Sequence, residues 1–471
     1  MTLESIYKRL PVSLQHASCG FEGWRIKVTR YGGQFPVVLR GAQERGAWTE
    51  DRVRDYRDRR LRSFIQCCIA LPFYKDRFRV AGVDPASIRT LEDLGALPIL
   101  TKEEVRTAKE EFSLLWKAGR KTIAAHTSGT TGSGLHFMTD LRAVQEQWAI
   151  WWRYRSWHGI QPGVWQAYFT GRSIVPITQA KPPFWRWNPA LSQLMFSVYH
   201  LSPANLDFYI DELSRRKIPW LHGYPSALAL VAARTLERGG LGYTPQWITV
   251  GAESLLPQQL SLITEAFGVR PRQHYGMAEA AANISECEAG RLHVDEDFAA
   301  VEFVPTADDS HTVIGTNFSN PLTPLLRYEV GDRVTLDESK CTCGHPGRVV
   351  KTIDGRREDY VVLANGARIG RLDHVFKDLL TIREAQIYQQ RAGAITVRLV
   401  RGAGYSVFDE MALLRELRSR VGSSIDIKIE HRDKLERFGA GKLRFVISEL
   451  PQGKLLSVPS GHVSSNIPVS T

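Results

Sequence analysis

His126-Thr-Ser-Gly-Thr-Thr-Gly-Ser-Gly134 is the stretch on which the reading of this chain turns. Glycines interleaved with small hydroxylated residues let backbone N–H groups and side-chain hydroxyls converge on phosphate oxygens without obstruction. It is not a Walker A loop, because the Gly-Lys-Ser/Thr ending is missing. A cluster of this composition taken alone is more often a surface turn, so its surroundings carry the argument. From 120 to 335 short apolar runs alternate with amphipathic helical patterns, the texture of a layered α/β domain. Trp247 to Val250 reads as a strand and Pro257 to Phe267 as the helix after it, with proline at a permitted first position. Upstream, 50–118 reads as helical, with Thr101 as an N-cap before Glu103 and Glu104. Downstream, strand-like Ala394–Val400 and Ile425–Ile429 flank a helix from Phe408 to Val421, which predicts a small α+β unit.

The fold class expected is therefore α/β, a large layered N-terminal domain with a small α+β C-terminal domain. The divisions expected are an irregular leader (1–50), the main domain (51–354), the small domain (355–450) and a disordered tail (451–471) rich in Ser, Pro and Gly. With 471 residues, 43% of them apolar and 24% charged, the chain has the composition of a folded protein rather than a disordered one. A net charge of +11 suits an acidic partner such as a nucleotide or coenzyme, although a solvated basic surface gives the same number. Asp51 to Arg62 alternates in sign, with Val53, Tyr56, Phe64 and Cys68 at helical spacing, so a surface helix is expected. No apolar run is long enough to span a membrane, and Met1 to Gln15 lacks the apolar centre of a signal peptide. A cytoplasmic location is expected, where six cysteines serve metal or core roles rather than disulfides. No recognisable nucleic-acid-binding motif is present.

The string Thr127-Ser128-Gly129-Thr130-Thr131-Gly132 resembles the signature of the adenylate-forming superfamily. Further segments follow in that superfamily's order: Gly251-Ala252-Glu253, Tyr275-Gly276-Met277-Ala278-Glu279, Arg327-Tyr-Glu-Val-Gly-Asp332, Gly355-Arg356-Arg-Glu358 and Gly441-Lys442. Leu97-Pro-Ile-Leu-Thr-Lys102 and His222-Gly-Tyr-Pro-Ser-Ala-Leu228 resemble its phenylacetate–CoA ligase group and capsular-polysaccharide-synthesis (CapK-like) relatives. The likeness spans roughly 60 to 450. It implies ATP-dependent activation of a carboxylic acid as its acyl-adenylate, then acyl transfer to a thiol, with coenzyme A the expected cosubstrate, and a C-terminal domain that is mobile.

The resemblance also implies roles. Thr127, Ser128, Thr130 and Thr131 would hold the β- and γ-phosphates of ATP, with Gly129 and Gly132 admitting them closely. Gly251, Ala252, Glu253, Tyr275, Gly276 and Met277 would line the adenylate, and Asp332 would accept hydrogen bonds from the ribose hydroxyls. Glu279 would coordinate Mg²⁺, Arg356 would sit near the nucleotide beside a pivot at Glu358, and Lys442 would reach the reacting carboxylate and α-phosphate. Tyr224, Pro225 and Ser226 would face the substrate. Two departures stand out: Ala278 replaces the usual Thr or Ser, and Ser133-Gly134 lacks the basic residue that many relatives carry.

Cys287, His293, Cys341 and Cys343 supply three thiolates and an imidazole, a donor set suited to tetrahedral Zn²⁺. Gly344 is free to adopt the positive φ of a compact knuckle, and His345 is a reserve ligand. The two pairs are distant in sequence, and buried thiols with a surface histidine are the plainer reading. Some relatives in the phenylacetate–CoA ligase group carry a similar arrangement. Cys19, Cys67 and Cys68 read as packing residues. Seven of the twelve tryptophans lie between Trp148 and Trp187; core packing or a homodimer interface is expected for most, an aromatic acyl pocket for the rest. The acid itself is open between aryl, arylacetyl and fatty acids. Transfer to an amine or a carrier-protein thiol, and an inactive nucleotide-binding homologue, are the alternatives.

Overall fold

The computed structural model describes residues 6–450, except 109, 113–121, 127–134, 173, 177, 202–203, 308, 357–359, 365–367, 371, 373–380, 403, 423–424 and 437–444. The expected phosphate loop from Thr127 to Gly132, the pivot Glu358, Lys442 and the tail from 451 lie outside the described residues. Among the described residues no helix is long and apolar enough to cross a membrane.

The chain opens with helices α1 (Val12–Tyr31), α2 (Phe35–Arg45), α3 (Glu50–Cys68), α4 (Pro72–Ala81) and the short α5 (Lys102–Thr107). The 1–50 segment, expected to be irregular, is thus largely helical. Its periodicity hides because α1 buries Gln15 and Gly23 while exposing Leu14, Phe21, Trp24 and Val28. Gln15 accepts from the buried guanidinium of Arg186 at 2.8 Å. A Cβ on Gly23 would lie 1.8 Å from Asn188 Oδ1, so glycine is what lets α1 dock. The Asp51–Arg62 stretch lies in α3, but it is not wholly a surface face. Arg57 and Asp58 are buried, and Arg57 pairs with Glu296. Cys68 is buried as expected, whereas Cys67 is exposed. Thr101 and Glu104 form a reciprocal capping box at the start of α5.

The hairpin β1 (Thr122–His126) and β2 (His136–Asp140) leads into α6 (Leu141–Trp157), capped by Asp140 Oδ1 accepting from Ala143 N at 2.8 Å. Strands β3 (Gln166–Thr170), β4 (Trp185–Asn188) and β5 (Gln193–Ser197) follow, and then α7 (Leu206–Arg216), β6 (Trp220–Gly223), α8 (Pro225–Glu237), β7 (Trp247–Gly251), α9 (Pro257–Phe267) and β8 (Arg272–Gly276). An antiparallel run completes the large sheet: β9 (Asn283–Glu286), β10 (Leu292–Val294), β11 (Ala300–Pro305), β12 (His311–Thr316), β13 (Tyr328–Leu336) and β14 (Val349–Arg356). Its order is β11-β12-β13-β14-β10-β9-β8-β7-β6-β3-β5-β4, parallel from β8 to β5.

Two cores sandwich the parallel strands. On one face Ala167, Phe169, Leu221, Ile248 and Val250 pack against α7, α8 and α9. α8 is apolar nearly all round, as suits a helix buried between neighbours, and Ala227, Ala229 and Ala232 let it approach closely. On the other face Trp220 and Ile284 pack with Ala149, Ile150 and Trp152 of α6 and with α2. The small unit comprises β15 (Tyr360–Val362), β16 (Arg368–Gly370), β17 (Ile382–Arg391), β18 (Ala394–Arg401), α10 (Val407–Val421), β19 (Asp426–His431) and β20 (Val446–Ser448). Its four-stranded sheet, β19-β18-β17-β20, has its own core around Ile387, Val397, Leu413 and Leu417. The mixed α/β expectation holds, as a large N-terminal region and a smaller C-terminal domain.

Candidate active site and metal centre

Open α/β sheets bind ligands beyond the carboxyl ends of their parallel strands, where the strand order reverses. Here that point lies between β3 and β6, and the sequence-predicted residues gather from there toward β8. Tyr224 follows β6 and precedes α8, whose first turn contains Pro225 and Ser226. Both of these are buried, so of the three only Tyr224, half-buried, keeps substantial exposed surface. Ser226 N donates to Glu253 Oε2 at 3.2 Å, setting that carboxylate against the positive end of α8. The reach of Glu253 depends on Ala252, which adopts φ +66°, a left-handed conformation uncommon for a residue with a Cβ. Gly251 is required as well: a Cβ there would lie 2.9 Å from the His274 carbonyl oxygen.

Tyr275 and Asp332, 57 residues apart, meet directly, the phenol donating to Asp332 Oδ2 at 2.7 Å. Asp332 stands on β13 opposite Arg356 on β14 in the antiparallel ladder. For Arg356 the backbone position is what is described. The Met277 carbonyl accepts from Gln147 Nε2 at 2.8 Å, which ties this segment to α6.

The segments that bound the expected phosphate loop are firmly held. His126 pairs with His136 at the last described rung of the β1–β2 hairpin. Thr323 Oγ1 donates to the Met138 carbonyl at 2.9 Å, and Asn320 Nδ2 donates to the same oxygen at 3.0 Å. Asn317 Nδ2 donates to the Glu279 carbonyl at 3.0 Å. One loop, Asn317 to Thr323, thereby joins the hairpin to the Tyr275–Glu279 segment. Leu97–Lys102 also finds a motif partner: Leu100 N donates to the Arg327 carbonyl at 2.8 Å, and Glu329 N donates to the Leu100 carbonyl at 2.9 Å. The sequence reading missed Asn317, Asn320 and Thr323. Their signal, an Asn-x-x-Asn-Pro turn, looks like any loop until its partners are seen.

Behind Tyr275 the sheet face toward α6 carries Tyr168, His222, Thr249 and His274. His222 Nδ1 lies 2.8 Å from Thr249 Oγ1, and its ring stacks on Tyr168 at 5.2 Å. Asn283 Nδ2 donates to His274 Nε2 at 3.0 Å, and Trp151 packs edge-on to that ring. Both imidazoles keep some accessible surface, yet burial, reinforced by Arg155, pushes each from 6.5 down to about 3. Between pH 6.5 and 3 the unfolded chain binds protons that the folded chain refuses, so stability falls as pH falls through this window. His222→Gln is expected to take up roughly one proton fewer on unfolding near pH 5. Urea midpoints at pH 7 and pH 5 would therefore differ less in the variant than in the parent; an unchanged difference would refute this account.

The Cys/His set also converges. Cys287 follows β9, His293 lies on the adjacent β10, and Cys341 and Cys343 lie in the β13–β14 connection beside them. Their ligand atoms all fall within 4.8 Å of one another. Cys287 Sγ to Cys341 Sγ is 3.7 Å and Cys343 Sγ to His293 Nε2 is 3.4 Å, edges that suit a tetrahedron with bonds of about 2.0–2.3 Å. His293 Nδ1 faces the Pro346 carbonyl at 3.2 Å, which leaves Nε2 as the lone-pair nitrogen. Backbone N–H groups of Arg291 and His345 point at the Cys287 and Cys343 sulfurs, both at 3.4 Å. Gly344 takes φ +82° as expected. The reserve ligand His345 is engaged elsewhere, at 3.0 Å from Glu288 Oε2, 3.1 Å from the Gly46 carbonyl and stacked on Trp157.

Comparison with known proteins bears on this arrangement. The CapK C-terminal domain family matches residues 361–449. Protein CapK of Staphylococcus aureus is 27% identical over 457 residues, 95% of this chain and all of that protein. The chain is similar to CapK along nearly its whole length. Phenylacetate-coenzyme A ligase of Thermus thermophilus is 24% identical to this CapK-like chain over 351 residues, covering 66% of it and 72% of the ligase. The crystal structure of 2-hydroxyisobutyryl-CoA ligase in its postadenylation state superposes with a TM-score of 0.65 at 18% identity, over 86% of this chain and 91% of that one. The shared fold is that of the two-domain adenylate-forming ligases.

Proposed function

We propose that this chain activates a carboxylic acid with ATP, releasing pyrophosphate, and passes the acyl group to a thiol, coenzyme A. The observation that carries this reading is the meeting of Tyr275, Asp332 and the Arg356 backbone position at one end of the sheet. These are three segments that the family likeness assigns independently to the nucleotide.

In the first half-reaction an oxygen of the substrate carboxylate attacks the α-phosphorus, and the bond to pyrophosphate breaks. Negative charge crowds at one phosphorus, so donors and cations set in advance lower the barrier. The hydroxyls and N–H groups of Thr127, Ser128, Thr130 and Thr131 hold the β- and γ-phosphates from the end of the anchored hairpin. Asp332 accepts from the ribose hydroxyls, with Tyr275 fixing the orientation of its carboxylate. Glu279, a hard oxygen donor whose backbone is bonded to the same anchoring loop, would hold the Mg²⁺ that neutralises phosphate charge. Arg356 stands beside the nucleotide, and Lys442 bridges the carboxylate and α-phosphate. In the second half-reaction the thiolate attacks the acyl carbon and AMP leaves; the small domain, pivoting near Glu358, supplies different surroundings for each step.

Cys287, His293, Cys341 and Cys343 would hold Zn²⁺ through four protein ligands. That closes the site to substrate and makes it structural. It fastens the connection between β13, which carries Asp332, and β14, which carries Arg356.

Acyl transfer to an amine or carrier-protein thiol keeps the same first step. Ala278 and the absence of a basic residue after Gly132 favour an inert nucleotide binder instead. A pyrophosphate-release assay over a panel of carboxylic acids, with and without coenzyme A, separates these readings. Acid-dependent release with formation of an acyl-CoA is expected. Release without thioester formation would move the acceptor to an amine or carrier, and no release with any acid would leave only nucleotide binding.

A further inference from the structure

Beside His222 and His274, behind Tyr275, lies an arginine with no acid among the described residues to answer it. Arg153 and Arg155 are neighbours on α6 and both are buried. Arg153 is answered by two aspartates: it donates to Asp297 Oδ2 at 2.8 Å and to Asp295 Oδ1 at 2.6 Å, and Asp297 also pairs with Arg45. Arg155 is 6% exposed, and no carboxylate among the described residues pairs or hydrogen-bonds with it. Its guanidinium carbon instead lies 4.7, 5.0 and 5.7 Å from the rings of Trp152, Trp220 and Trp148. Arg30, at the end of α1, stacks on the same Trp148 at 3.9 Å and likewise meets no carboxylate. Burial depresses both guanidinium groups, with a smaller repulsion from Arg30 at Arg155 and from Arg172 at Arg30.

Cation–π contact offsets only part of the cost of burying such a charge. Two like charges against one indole, without an anion, remain an unfavourable arrangement; Arg186, also buried without an acid, is instead satisfied by Gln15, Gln179 and backbone carbonyls. His222 and His274 lie close to Arg155 as neutral rings and cannot supply the missing charge. An arriving oxyanion can.

The geometry points to an acyl substrate that bears a second oxyanion, a carboxylate, sulfonate or phosphonate remote from the reacting carboxylate, received by Arg155 with Arg30 beside it. The assignment of this anion as acyl substrate rests on the adenylating reading; the existence of the anion site does not. A flat, conjugated acid would in addition stack on Trp148, Trp151 and Tyr168, whose rings are half-buried.

Binding is the decisive readout, because it is independent of turnover. Calorimetric titration of the full chain would compare phenylacetate with 4-carboxy-, 4-sulfo- and 4-phosphonophenylacetate, and hexanoate with adipate. At least one doubly anionic member is expected to bind tighter than its single-charge partner by roughly 10- to 150-fold, the range for hydrogen bonds to a charged group. The sulfo and phosphono arms tell a carboxylate from other oxyanions. Arg155→Met, which keeps the stem, should erase the preference, and Arg155→Lys should restore part of it. Should Arg155→Met fail to fold, Arg30→Gln at the half-buried mouth serves instead, with a smaller loss in the same direction. Equal binding of singly and doubly charged acids, or a preference untouched by Arg155→Met or Arg30→Gln, would overturn the site and leave Arg155 a tryptophan-clamped structural cation. Tight dianion binding with no pyrophosphate release from any acid would instead sink the adenylating reading and leave the anion site standing.

Discussion

Lys442→Ala is expected to lower adenylate formation by about 10²–10³-fold, the cost of removing one charged donor from a developing oxyanion, while largely sparing thiolysis of a supplied acyl-adenylate. Charge accumulates at the α-phosphorus in the first half-reaction and at the acyl carbonyl in the second. On the proposed reading, a single remote ammonium on a domain that moves between the steps would serve only the step for which that domain brings it close. The measurement is a pair of assays on one preparation: ATP–pyrophosphate exchange for the first half, and release of AMP from synthetic acyl-adenylate plus coenzyme A for the second. Matched losses in both would end the division of labour between the two steps. Lys442 lies outside the described residues, so the prediction rests on the Gly441-Lys442 likeness and on the chemistry.

The second large effect concerns the cysteines. Protein purified without chelator is expected to carry one zinc per chain by elemental analysis. Cys343→Ser should lose the metal and more than about 4 kcal/mol of stability, the range in which loss of a structural metal falls. Tetrahedral edges, an imidazole with its second nitrogen engaged and amide groups aimed at two sulfurs already provide what a metal centre needs. The loss should extend beyond stability. With the β13–β14 connection released, Asp332 and Arg356 lose their register, and ATP binding should weaken in the variant even below its unfolding temperature. A metal-free, fully stable parent that takes up no added zinc would refute the centre.

Much of the fold was legible because its signals are local. The strand beginning at Trp247 and the helix Pro257–Phe267 read from apolar runs and a helix-starting proline, and the structure has them at those positions. The α1 helix was not legible. Its buried side holds Gln15 and Gly23, chosen to fit Arg186 and Asn188, while aromatic residues face outward. Periodicity reports which residues avoid water, and in α1 that rule is inverted.

The sequence alone determined the donor chemistry available to this protein: a glycine-rich hydroxyl loop, ordered carboxylates and cations downstream of it, and three thiols with an imidazole. Only the tertiary structure decided which of these meet. Sheet registry brings Cys287 to Cys341 and Tyr275 to Asp332, contacts spanning 54 and 57 residues. It also separates Arg153, matched by two aspartates, from Arg155 two residues later, matched by no acid among the described residues. The physical reason is that a side chain's chemistry travels with its residue, whereas the charge and water around it are set by whatever strand or helix the fold lays alongside.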